Sequence, residues 1–195
     1  MDKLSIYNMA LDLCGQAPIL ELHEDASEKD QTEKSLDLWY PAAYRKASHE
    51  MPWPFLEVRL GFEKEDGSDS ASGAKDYGES HGYKHSYKFS EEPEQMTWAE
   101  GDRFQRFGGM LCTDSDKEPE AWGIKKEVPG SDTEGMPEGF LDLVAISLAY
   151  LASVRLSPDQ TTRNAIYYLY NDRRDELINH YLQAERIGPG DSYAE

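Results

Sequence analysis

The sequence predicts a mainly α protein: a helical bundle of about four helices with a small antiparallel β-sheet or hairpin arm inserted in its middle. Three observations carry that expectation. Apolar residues recur at the 3.6-residue helical period near both ends of the chain. Between those segments, short stretches alternate apolar and polar residues as strands do. No pattern belonging to a catalytic, nucleotide-binding or metal-binding class interrupts either arrangement.

The first helix is predicted over residues 3–14, where Leu4, Tyr7, Leu11 and Cys14 share a face; Gly15 ends it and Pro18 prevents a restart. A second is predicted over residues 28–50, with Leu36, Trp39, Tyr40, Ala43, Tyr44 and Ala47 at helical spacing. Pro41 lies inside that pattern and is expected to kink or interrupt the helix. Met51-Pro52-Trp53-Pro54-Phe55 stops it, because two prolines hold the backbone extended.

Alternation over residues 56–62 and 83–89 predicts strands, separated by a Gly-, Ser- and acid-rich loop. Phe104-Gln105-Arg106-Phe107, Gly108-Gly109 and Met110-Leu111-Cys112-Thr113 read as a β-hairpin with a two-residue glycine turn. Residues 121–128 are a weaker strand. Helices resume at Pro137, with Phe140, Leu141, Val144, Ala145, Leu148 and Ala152 in one wide stripe. Ser157-Pro158-Asp159-Gln160 reads as a capping box opening a last helix to about residue 186, where Gly188-Pro189-Gly190 breaks it. The expected organisation is bundle helices in 1–55, a β-rich insertion in 56–130, further bundle helices in 131–187, and a flexible tail in 188–195.

The net charge is −18, from 38 acidic and 20 basic residues. A duplex-binding protein needs a basic face to displace counterions, and the longest basic runs are only Lys125-Lys126 and Arg173-Arg174. DNA binding by charge attraction is therefore not expected. Cys14 and Cys112 have no CxxC spacing and are expected as free thiols in a reducing cytoplasm. No signal peptide is expected after Met1-Asp2-Lys3, and no apolar run is expected to reach the roughly 18 residues of a membrane span.

The search for chemistry gives no strong candidate. His81 and His85 stand at i, i+4, but on a strand they would be about 13 Å apart, too far for one metal ion. Asp114-Ser115-Asp116-Lys117-Glu118 opens like a calcium loop, yet Pro119 and Lys125 occupy the positions that need Gly and Glu. P-loop, dinucleotide-binding and nucleophile-elbow patterns are absent from the sequence. The expectation is a non-enzymatic protein with no cofactor and no metal.

The order of segments adds to this. Leu4-Ser5-Ile6-Tyr7-Asn8-Met9-Ala10-Leu11 is followed by Leu38-Trp39-Tyr40-Pro41-Ala42-Ala43-Tyr44-Arg45, then Met51-Pro52-Trp53-Pro54-Phe55. Ser86-Tyr87-Lys88-Phe89, Gly109-Met110-Leu111-Cys112-Thr113-Asp114 and Met136-Pro137-Glu138-Gly139-Phe140 come after. This ordered series resembles the tail tubular protein A family of short-tailed phages, and more widely the phage head-to-tail adaptor (connector) proteins. One departure is that Phe89-Ser90-Glu91-Glu92-Pro93-Glu94 lacks the Pro-x-Asp that commonly follows the second strand of the insertion in that family.

The resemblance implies a structural virion protein of the tail or neck, made in a bacterial host's cytoplasm. About twelve copies would form a ring under the portal protein, extend the DNA channel and dock the next tail component, a nozzle or tail-tube protein. DNA would pass without specific binding, and no membrane would take part. The C-terminal segment Arg186, Ile187, Gly188, Pro189, Gly190, Asp191, Ser192 and Tyr193 would contact the portal. Trp53, Phe55, Phe104 and Phe107 are weaker candidates for contacts between copies, the last two because a hairpin leaves sheet edges. The acidic charge would suit a channel wall that repels phosphate. The alternative reading is an acidic soluble binding protein, a nucleic-acid mimic that inhibits a basic partner.

Overall fold

A computed structural model describes residues 1–51, 53–63, 82–99, 103–115, 119–124, 128, 133–157 and 159–186. It divides into two compact units, Met1–Met51 with Val128–Glu195, and Pro52–Glu127. The expectation of a mainly α fold is overturned. The described residues hold four α-helices and seven strands in two antiparallel sheets, an α+β architecture. The β content was underestimated because several strands are too short, or too mixed in polarity, to display the two-residue period.

In the helical unit, α1 (Lys3–Leu13) is capped by Asp2, whose carboxylate accepts from Ser5 N at 2.8 Å. Gly15 takes φ 68° just beyond it, where only a residue lacking Cβ is comfortable. α2 (Gln31–His49) starts three residues after the predicted start at residue 28, because the Asp30 carboxylate accepts from Glu33 N at 2.7 Å and so fixes the first turn. The helix continues through Pro41 without interruption. α4 (Gln160–Arg186) is capped by Asp159, not Ser157: the Asp159 carboxylate accepts from Thr161 N and Thr162 N, both at 3.1 Å.

Between these lies α3 (Glu138–Leu156), which packs on α1, α2 and α4 and has its central residues Leu143 to Ala149 buried. Its length and apolar composition, with mean hydropathy 1.6, would suffice to cross a membrane, which corrects the sequence expectation. In the structure that apolarity is spent on the bundle core. α4 runs antiparallel to α3, as three contacts show. Tyr167 lies against Tyr150 with ring centroids 5.7 Å apart, Arg173 pairs with Asp142 at 2.9 Å, and Leu177 covers Gly139.

In the second unit, Pro54–Leu56 form a 3-10 turn, followed by β1 (Glu57–Arg59) and β2 (Phe62–Glu63). Then come β3 (His85–Phe89), β4 (Gln95–Ala99), β5 (Phe104–Phe107), β6 (Met110–Thr113) and β7 (Ala121–Ile124). The stretch read as one strand over residues 56–62 is split at Leu60-Gly61, so that β1 and β2 join different sheets, ordered β1-β7-β4 and β2-β3-β6-β5. The β5–β6 hairpin turns at Gly108-Gly109, with Phe107 opposite Met110 and Gly108 at φ 56°. Leu60, Phe89, Ala99, Leu111 and Ala121, drawn from both sheets and their connection, form a shared core. The strand β4 had no counterpart in the sequence reading, and residues 64–81, 125–127 and 187–195 of the expected loop, strand end and tail lie outside the described residues.

Candidate interaction surfaces

The segment expected to grip a portal begins at Arg186, the last residue of α4; residues 187–193 lie outside the described residues. The approach to it is well defined. A Cβ on Gly139, in the first turn of α3, would sit 2.7 Å from Leu177 Cδ2, so α4 and α3 are in close contact there. From Leu177 to Arg186 α4 continues for about 13 Å, at ~1.5 Å per residue. The last helix therefore carries the chain past the first turn of α3.

The four aromatic candidates fall into different settings. Trp53 is buried and its ring lies 5.7 Å from that of Phe55, which is half-buried. Phe107 is half-buried, its ring 6.4 Å from Tyr83, while Phe104 is exposed on β5, an edge strand of the four-stranded sheet. Arg106 ties this hairpin to the β3–β4 connection. Its guanidinium donates to Pro93 O at 2.8 Å and to Gly108 O at 2.9 Å, and lies over the Phe89 ring.

The helical unit has a surface feature that the sequence reading missed. α2 and α4 both flank α3, and they are tied together at one end, where Tyr170 Oη donates to Glu50 Oε1 at 2.6 Å and Lys46 Nζ sits 3.6 Å from the Tyr170 ring centre. Toward Trp39 on α2 and Arg163 on α4, an open groove of about 680 Å³ lies between them. Its apolar lining is Trp39, Tyr150, Leu151, Val154 and Tyr167; Ser153, Gln160, Arg163 and Asn164 supply the polar part. Val154 is 74% exposed, and Tyr167, Tyr168 and Leu169 are exposed beside it on α4. Trp39 Nε1 is buried with no hydrogen-bond partner among the described residues. A sequence signal existed: Val154 is an apolar residue outside the predicted core stripe of α3.

The titratable groups form structural nodes. Burial pushes Asp37 up, but hydrogen bonds from Lys29, Tyr7 and Lys3 outweigh it and hold the carboxyl below its usual range. His23 is raised, first by the hydrogen bond of its Nδ1 to Glu33 at 2.9 Å and further by the charges of Glu33, Glu21 and Glu28. Burial pushes the Cys14 thiol up to about 11 and raises Cys112 as well, so neither is poised as a nucleophile. Among the described residues, no group of three or more His, Cys, Asp or Glu could hold a metal ion. His85 stands on β3 and His81 lies outside the described residues; Asp114 accepts from Lys84 N at 3.1 Å, with Asp116 also outside.

The sequence matches no protein-family model, and a search of curated proteins gives no match either.

Proposed function

We propose that this chain is a structural head-to-tail adaptor, assembling as a ring beneath a phage portal and offering a docking face to the next tail component. The ordered series of segments carries this reading, and the course of α4 supports it physically. That helix delivers the C-terminal segment beyond the first turn of α3, where a tail can order against a partner as it binds. The surrounding chemistry is compatible with this reading: both thiols are buried, and carboxylates such as Asp37 and Glu50 are engaged by cations and tyrosines. The net charge of −18 suits a channel lining over which DNA slides without adhering.

The test is electron microscopy of the purified chain mixed with the portal of the same virus. The expected result is a ring seated coaxially on the portal. Deletion of residues 187–195 is expected to weaken that attachment at least tenfold while leaving the far-UV circular dichroism of the helices unchanged. A chain that ignores the portal would overturn the proposal. A ring with a neutral or basic lumen would remove the role assigned to the acidic charge.

A further inference from the structure

Two features of the helical unit are complementary and do not meet within one copy. The first is the groove between α2, α3 and α4. It is apolar in the middle, and among the described residues no carboxylate lines it, although acidic residues outnumber basic ones 38 to 20 in the chain. Its one charged lining residue, Arg163, donates to neutral acceptors, Ser157 O at 2.9 Å and Gln160 Oε1 at 2.6 Å. Arg155, beside Val154, is exposed and makes no ion pair among the described residues. Among the described residues, the groove lining thus carries one cation, Arg163, and no carboxylate, on a strongly anionic molecule; Arg155 follows the lining residue Val154 in the chain, and Asp159 precedes Gln160.

The second feature is Leu20, in the connection between α1 and α2. It is 91% exposed, more than any other large apolar residue described. It is also held in place. Asn8 brackets the preceding residue, donating to Ile19 O at 3.0 Å and accepting from Ile19 N at 2.9 Å. Three residues on, His23 N donates to Glu33 Oε1 at 2.8 Å. Leu20 is thus an apolar knob on a loop fixed at both sides, followed by the exposed carboxylates Glu21, Glu24 and Asp25. A preorganised knob loses little conformational freedom when it is buried.

We infer that the groove of one copy receives the Leu20 loop of a second copy, with Leu20 on the apolar lining and the Glu21–Asp25 carboxylates facing Arg163 and Arg155. Knob and groove are different patches, so the contact is head-to-tail, the kind that closes into rings when its rotation permits. The inference rests on the ring reading above and supplies it with a subunit contact.

The experiment mixes two variants of the full chain, each with one added cysteine, Leu20→Cys and Val154→Cys, with a short bismaleimide, at high concentration and on the portal. Both positions are exposed, and the native Cys14 and Cys112 are buried, so the label reports on the new sites. The expected product is a heterodimer formed at least tenfold faster than by either variant alone. Charge-reversed chains provide the second reading: Arg163→Glu is expected to suppress association, and Glu21→Arg in the neighbouring copy to restore part of it. Absence of the heterodimer in both settings overturns the contact. A portal-seated ring without cross-linking overturns the contact and leaves the adaptor reading standing. Cross-linked assemblies that ignore the portal uphold the contact and remove the adaptor reading. If Val154→Asp blocks attachment to the portal and Leu20→Asp does not, the groove takes a portal segment or the chain's own tail, which also overturns the inference.

Discussion

The helical unit and the β unit hold together by different means. In the first, one apolar helix is wrapped by three others, and charges gather where α1 and α4 meet α2: Lys3, Lys29 and Tyr7 on Asp37, and Lys46 and Tyr170 on Glu50. In the second, a cluster of five buried residues among those described joins the two sheets, beside close backbone approach at Gly123 and the Arg106 latch. Substitutions should therefore act by volume in one unit and by backbone clearance in the other.

The largest effect is expected from Leu148→Ala. Leu148 is fully buried on the helix that forms the core, so the cavity should cost about 2–5 kcal/mol. Urea unfolding followed by far-UV circular dichroism measures it; a loss below about 1 kcal/mol would mean that α3 is not the centre of the bundle. Next comes Gly123→Ala in β7, the middle strand of its sheet. A Cβ there would lie 2.5 Å from Gln95 O and 3.1 Å from Leu60 Cδ1. Because the nearer atom is backbone, the strands must shift, at about 1–3 kcal/mol. Amide exchange should show faster opening of β1, β4 and β7 with the helices still protected; equal loss in both units would break the distinction.

The smallest effect concerns pH. Glu33 raises the folded-state pKa of His23 above its ordinary value, so the pair stabilises the fold fully below about pH 6.5. That contribution is lost as pH rises through the folded-state value. The stability advantage of the native chain over His23→Gln should therefore shrink with rising pH. By NMR titration His23 should protonate above its ordinary value, and Glu33→Gln should lower it toward that value, because Glu33 is the largest of its causes.

What could be read from the sequence follows from element length. α3 and α2, at 19 residues each, repeat their apolar period several times, and the β5–β6 hairpin is marked by adjacent glycines. β2 has two residues and β4 carries Gln, Thr and Trp within five, so neither displays a strand period. This is why two sheets were read as one small arm. The Ser157 capping box misled because Asp159, two residues on, itself accepts from Thr161 N and Thr162 N and fixes the helix start there. Near the candidate surfaces, the course of the last helix to about residue 186 was anticipated. The groove was not, because Trp39 shares the period of the buried Tyr40 and Tyr44, and only the arrangement of α2 and α4 leaves it accessible.

The helical unit is assembled from two separated stretches of chain, and that bears on its synthesis. A ribosome completes α1 and α2 before it has made Pro52–Glu127, and only then supplies the helix whose apolar surface they cover. At about 5–20 residues per second, translation of that intervening stretch lasts roughly 4–15 s. Throughout that interval Ile6, Leu11, Leu36 and Tyr44 have no α3 to pack against, whereas the β unit is one continuous stretch and can fold once its last strand, β7, has emerged. Nascent chains of this protein should therefore be clients of holding chaperones until Leu156 has emerged.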